Sequence, residues 1–286
     1  MSDPAGADGP APEITVIVCA FNRERMLDAC LRSIRDQDHP SFEVIVVDDA
    51  STDGTLAVAR RHGAEDPRVR AIARERNAGS FANLNLAHRH ARGGFIGWVD
   101  SDDLILPDCL SACAAELRAN PEVGCVYTDQ MVIDEHNRPL AYGHRADIPY
   151  SPRRLLVDFM TFHFRLYRRE LYDRVGGLDE SMRYAGDYDF CLRLSEITEF
   201  RRLPRPLYLY RQHADTISSG KRLEQIEASA GAVRRALQRR GMEATHRLEV
   251  ELVSRFRLIS VTGGAGESSG ADPSARPSAR GGVSDL

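Results

Sequence analysis

The sequence predicts an α/β protein built on a mixed, mainly parallel sheet flanked by helices. Three observations lead there. Apolar, β-branched runs alternate with stretches of helical periodicity over the first hundred residues. The runs contain few polar positions, as strands covered on both faces do. Several stop abruptly at acids: Asp48-Asp49, then Asp100, Asp102 and Asp103, then Asp129. In open α/β sheets, ligands gather at the carboxyl ends of strands.

Each element follows from its own pattern. ITVIVC (Ile14 to Cys19) is a β-branched run suited to a central strand, and Met26, Leu27, Cys30, Leu31 and Ile34 then recur at helical spacing. Phe42 to Val47 is a second strand and Thr55 to His62 a second helix, which Ser51 or Asp53 would cap. Val69 to Ala73 and Phe95 to Val99 are further strands, separated by a turn at Asn77-Ala78-Gly79-Ser80 and a helix through Asn83 to His90. Pro107 suits the first turn of a helix reaching about Ala119. Val123 to Thr128 is a strand with Asp129 at its end, and 130–150 reads as a hairpin or loop. A short helix at Leu155 to Met160, a strand at His163 to Tyr167, helices at Arg168 to Val175 and Asp187 to Ser195, and a strand at Leu207 to Tyr210 follow. Lys221 to Arg240 is an amphipathic helix with a basic polar face, expected to be solvated, and 242–260 adds one more helix. Residues 1–12 and 262–286 are rich in Pro, Gly, Ala and Ser, and are expected to be disordered.

The 286 residues are 42% hydrophobic and 28% charged, ordinary values for a globular protein with a substantial core. A formal net charge of −4 gives no footing for nucleic acid as the main partner. The six cysteines form no C-x-x-C pair and read as small core residues of a reducing compartment. The first residues have no secretory signal pattern and no apolar run reaches membrane-span length, so a cytoplasmic protein is expected. Peripheral membrane contact and a homodimer are left open. The segment FIGWVDSDDLIL, Phe95 to Leu106, carries the densest chemistry. Three carboxylates in four residues suit Mg²⁺ or Mn²⁺ and a phosphate substrate, or else an acidic turn that caps the next helix.

Four stretches in order, CAFNR, VDDASTDGT, NAGSFANLN before WVDSDD, and GGLDESMRYAGDYDFCLR, resemble family 2 glycosyltransferases. These are inverting enzymes of the GT-A fold that use nucleotide-activated sugars. The resemblance covers roughly residues 13–215: a nucleotide-binding half, 13–105, and an acceptor and catalytic half, 106–215. C-terminal helices over 216–261 and the tail, 262–286, lie beyond it. Where many members have Glu-Asp, this chain has Gly186-Asp187.

The resemblance implies that Asp48 and Asp49 bind the base of a nucleoside diphosphate, usually UDP, and that Ala20, Phe21 and Asn22 line its pocket. Arg23 would approach the diphosphate, or simply be solvated. Asn77, Gly79 and Asn83 would frame the same pocket. Asp100, Ser101 and Asp102 would contact the sugar nucleotide. Asp103 would ligate Mn²⁺ or Mg²⁺, with Asp102 and His213 as further metal candidates. Asp187 would be the general base, although at a helix start it also reads as a cap. Arg211 is a phosphate candidate, and Tyr142, His144, His163 and Tyr184 are candidates for lining the site of an unidentified acceptor. The expected reaction is metal-dependent, inverting transfer of a sugar to an acceptor hydroxyl in polysaccharide, cell-wall or natural-product glycosylation. Sugar-nucleotide synthesis and an inactive binding module are the competing readings. The first is disfavoured because CAFNRERM lacks the glycines of a phosphate loop.

Overall fold

The computed structural model describes residues 10–213 and 221–251. Two compact units are distinguished, Met1–Leu248 and Glu249–Leu286, and the sheet and candidate site belong to the first. Its elements are β1 (Ile14–Ala20), α1 (Glu24–Arg35), β2 (Phe42–Asp48), α2 (Thr55–Glu65), β3 (Val69–Ala73), α3 (Ser80–His90), β4 (Phe95–Trp98) and β5 (Leu104–Ile105). They continue as α4 (Cys109–Ala119), β6 (Val123–Ile133), β7 (Pro139–Gly143), β8 (Arg165–Arg168), α5 (Arg169–Arg174), α6 (Gly186–Leu194), β9 (Glu199–Arg211) and α7 (Arg222–Arg239).

The strands form one mixed sheet in the order β3-β2-β1-β4-β8-β6-β9-β5, with β7 paired to β6. The first four in that order are parallel, as the alternation of strand and helix requires. Side chains alternate between two cores. Val16 and Val18 pack with Leu27, Leu31 and Ile34 of α1 and Leu110 of α4. Ile17, Ile45 and Trp98 pack on the other face with α3, α6 and α7. Both faces of β1 are thus covered, which explains its unbroken apolar sequence.

Two pairings carry the chain back to the carboxyl edge of the parallel strands. β8 runs antiparallel to β4, with Gly97 opposite Leu166, so the start of β8 lies at the end of β4. β5 pairs antiparallel with β9, Leu104 opposite Leu209, so the end of β9 returns beside the acids that precede β5.

Several expectations change. β6 runs through Asp129 to Ile133, so Asp129 stands mid-strand. It is 1% exposed and is held by a bidentate pair with Arg202, at 2.7 and 2.9 Å. β9 begins eight residues before the expected Leu207, because main-chain pairing with β6 tolerates Pro204 and Pro206 at register shifts. The short helix expected at 155–160 is a 3₁₀ turn, Arg154–Leu156, and α4 starts two residues after Pro107. The basic face of α7 is not simply solvated: Arg235 reaches Asp189 at 3.1 Å, and Arg239 and Arg240 reach Glu196. Residues 242–251 are turns and irregular chain rather than helix. The expectations for residues 1–9 and for 252–286 lie outside the described residues.

Gly97 shows how closely β8 sits on β4. A Cβ there would meet Phe164 Cζ at 2.4 Å and Arg165 O at 2.9 Å. Gly97→Ala is expected to lower unfolding stability by about 1–3 kcal/mol through overpacking. A lower urea midpoint with unchanged slope would show it; a wild-type midpoint would mean that the two strands can part without cost.

Candidate active site

The ends of β1 and β2 form the first wall. Asp48 is 2% exposed; one oxygen accepts the Ser51 amide at 3.2 Å, and Oδ1 has no partner among the described residues. Asp49 is committed differently, its two oxygens accepting the Ala78 and Gly79 amides at 2.8 and 2.9 Å. Gly79, at φ 86°, turns its amide toward Asp49 in a conformation that glycine adopts without strain. Asn77 Nδ2 lies 3.4 Å from Asp49 O, a long contact. Of the two acids expected to read a base, the structure therefore spends Asp49 on the turn and leaves one oxygen of Asp48 unpaired. Asn22, at φ 53°, accepts the Thr52 amide at 2.9 Å, and Phe21 is 44% exposed beside buried Ala20. Asn83 is buried in α3, with Oδ1 unpartnered among the described residues.

The acids after β4 separate into three environments. Asp103 is 1% exposed; Oδ2 accepts the Tyr208 hydroxyl and Oδ1 the Arg211 amide, both at 2.7 Å. Burial, then Asp100 and Asp102, push its pKa well above the usual carboxylate range. Both its oxygens accept protein donors, which favours Asp102 over Asp103 as the acid to hold a metal. Asp102 faces the cleft instead. Its Oδ2 meets Arg23 Nε at 3.3 Å and His213 Nε2 at 3.0 Å. Ser101 is buried in the turn between these acids. The Asp100 side chain is 49% exposed, and crowding by the surrounding chain, then Asp102 and Asp187, push its pKa up to about 7. Arg211 is not a phosphate ligand here: its guanidinium is buried on the carbonyls of Asp102, Asp134 and Glu135.

Asp187 stands in the first turn of α6, where the helix dipole favours an acid, after Ala185 at φ 58°. Its carboxylate is 27% exposed and lies 3.6 Å from Arg165 Nη2. The influence of Asp187 on Asp100 brings it to the same cluster, although 87 residues separate them in sequence. His163 Nε2 lies 3.4 Å from Asp100 Oδ2, and burial holds the imidazole pKa well below its usual value. A neutral ring cannot offset the Asp100 charge. Of the four residues suggested for an acceptor, only His163 contacts this cluster: Tyr142 bonds Asp129, His144 bonds Asp147, and Tyr184 sits beneath Arg183.

Arg165 and Tyr208 were not singled out as working parts of this cluster by their sequence positions. The available signal was an arginine inside the apolar HFRLY segment. For a divalent ion, Asp102 and His213 supply one carboxylate and one imidazole, a donor pair suited to Mn²⁺. Among the described residues, no three His, Cys, Asp or Glu side chains converge as a preformed metal site. An ion would need oxygens from a substrate to complete its shell.

A family model described as glycosyl transferase family 2 matches residues 15–176. Chondroitin synthase of Escherichia coli is 33% identical over 232 residues, covering 81% of this chain; the chain spans only 34% of that protein. The structure of S. aureus TarS 1-349 in complex with UDP-GlcNAc matches with a TM-score of 0.61 and 22% identity, covering 82% of this chain and 76% of that one. A mannosyltransferase from Pyrobaculum calidifontis, in complex with GDP-Man and Mn²⁺, matches with a TM-score of 0.57 and 23% identity, covering 84% and 77%. At these identities the structural likenesses establish the fold.

The acid cluster makes a stability prediction. Below about pH 4 the Asp100 carboxyl is neutral in both folded and unfolded chains. As pH rises from 3.8 to about 7, the unfolded chain ionises first, so stability falls and the full penalty stands above pH 7. With metal chelated, Asp100→Asn should melt with the wild type near pH 4 and about 2–4 °C above it at pH 8. Solvent at the half-exposed carboxylate keeps this gain near ~1 kcal/mol. The same difference at both pH values would contradict it.

Proposed function

The chain belongs to glycosyl transferase family 2 and has the GT-A fold, and from that premise we propose that it transfers a sugar from a nucleoside diphosphate to an acceptor hydroxyl, with inversion. The observation that carries this reading is the convergence of Asp100, Asp102 and Asp187 at one edge of the sheet, beside the ends of β1 and β2.

The base of the donor lies against Phe21 and Ala20, with the unpaired oxygen of Asp48 as its hydrogen-bond acceptor. Arg23, already turned toward Asp102, bonds the diphosphate. Asp102 and His213 would hold a divalent ion, Mn²⁺ by donor chemistry. When bound, that ion supplies Lewis-acid stabilisation of the charge on the departing diphosphate. Asp187 accepts the proton of the acceptor hydroxyl. The acceptor oxygen forms the new bond to the anomeric carbon as the bond to the diphosphate breaks on the opposite face, and the proton leaves Asp187 afterwards. Asp49, Asn77, Gly79 and Asn83 shape the pocket wall; Asp103, with Tyr208, holds the turn that aims Asp102.

The UDP-GlcNAc bound to TarS and the GDP-Man and Mn²⁺ bound to the mannosyltransferase support the donor class. The chondroitin synthase relative supports a polysaccharide acceptor. No helix among the described residues is long and apolar enough to cross a membrane. A cytoplasmic location and a sugar acceptor presented in solution or at a membrane face complete the proposal.

The test is calorimetry and product release with UDP-GlcNAc, UDP-glucose and GDP-mannose, with and without Mn²⁺. Manganese-dependent binding of at least one donor, with release of nucleoside diphosphate and not pyrophosphate, is expected; no binding to any of them would overturn the donor assignment. Asp102→Asn should weaken manganese-dependent binding at least ~10-fold. Asp187→Asn should bind the donor normally while turnover drops ~10²–10⁴-fold. Wild-type turnover in that variant would remove Asp187 as the base.

A further inference from the structure

Arg165 heads the fully buried side chains of the described residues by volume. Its surroundings are mostly apolar: the guanidinium carbon lies 4.9 Å from the Trp98 ring centroid and 5.5 Å from that of Phe159. Nη1 donates to Thr161 O at 2.8 Å and approaches Cys191 Sγ at 3.6 Å. Burial raises the Cys191 thiol pKa, so that sulfur carries no balancing charge at neutral pH. Nε and Nη2 have no hydrogen-bond partner among the described residues. A buried cation with two idle donors is costly unless an acid offsets it. The acid that Nη2 faces is Asp187, at 3.6 Å, closer than solvent-separated charges but longer than a hydrogen bond.

Catalytic hydrogen bonds are often long in a free enzyme and tighten when substrate fills the site. We infer that Arg165 is the positioning residue for Asp187: its idle Nη2 donor fixes one carboxylate oxygen and offsets its charge beside Asp100, leaving the other oxygen to take the acceptor proton. The inference rests on Asp187 being the base. Antiparallel pairing of β8 with β4 starts Arg165 at the end of β4, where it is 2% exposed, so it supports the acid from the core. Trp98 and Phe159 keep water from competing for the guanidinium.

The experiment uses the full chain, Mn²⁺, and whichever UDP-sugar of the panel above is turned over faster. It reads nucleoside diphosphate release and UDP affinity in Arg165→Gln, Arg165→Lys and Asp187→Asn. Arg165→Gln should slow release at least ~30-fold and leave UDP affinity within ~2-fold, a loss confined to kcat. Arg165→Lys keeps the charge but loses the fork, and should fall only ~3–10-fold. An arginine that merely fills the core would lower UDP affinity, kcat and melting temperature together, and that pattern overturns the inference. If Arg165→Gln shows no cooperative melt, Arg165→Lys decides: unchanged kcat, or equal losses in kcat and affinity, counts against the positioning role. Wild-type release in Arg165→Gln with an inactive Asp187→Asn overturns the positioning role alone. Wild-type release in Asp187→Asn, or no donor turned over by the wild type, overturns the base reading and this inference with it.

Discussion

Four carboxylates share one edge of the sheet, and mutual repulsion would drive them apart unless each were handled separately. Asp103 is withdrawn into the core on Tyr208 and the Arg211 amide. Asp102 is met by Arg23 and His213, and Asp187 by Arg165. Asp100 contacts the neutral His163, and burial, then Asp102 and Asp187, raise its pKa against the weaker pull of Arg165 and Arg23. Perturbed acids of this kind are what makes this edge of the sheet a candidate functional site. On the proposed reading, a cation carried with a sugar nucleotide offsets the remaining charge.

Topology makes this possible. Parallel strands β1, β2 and β4 bring three loops to one edge, but a doubly wound sheet supplies nothing from below. The antiparallel insertion of β8 starts Arg165 at the end of β4 with His163 just before it, 3.4 Å from Asp100, and the β5–β9 pair returns Arg211 and His213 to the acids. Three of the four non-glycine residues with positive φ among the described residues, Asn22, Ala50 and Ala185, lie at the ends of β1 and β2 and at the start of α6; the fourth, Asn137, is in the turn before β7. Local backbone strain is therefore concentrated where the chain turns into the site.

The four parallel strands were legible because each is a short, mostly apolar run between polar turns: Ile14, Phe42, Val69 and Phe95 open strands in both sequence and structure. The first eight residues of β9 were hidden by Pro204, Pro206 and three arginines, residues that a main-chain ladder tolerates when one edge of the strand is irregular. Within the site, the sequence pointed to the acids but not to their orientations. Asp102 and Asp103 are adjacent, and turn geometry alone sends one to the cleft and the other inward. Likewise, Asp48 and Asp49 divide their work according to where the Ala78 and Gly79 amides lie. Arg165 was passed over because a long charged side chain in a strand ordinarily reaches solvent, and here Trp98 and Phe159 close over it.

The central claim is that Asp102 and His213 form the protein's share of a metal site that a nucleotide diphosphate completes. A crystal of the full chain soaked with MnCl₂ and UDP, measured for manganese anomalous scattering, tests it directly. The account predicts one anomalous peak between the Asp102 carboxylate and the His213 imidazole, bridged to the UDP phosphates, with Asp103 still bonded to Tyr208. A peak on Asp103, or UDP bound in the cleft with no manganese beside Asp102, would contradict it.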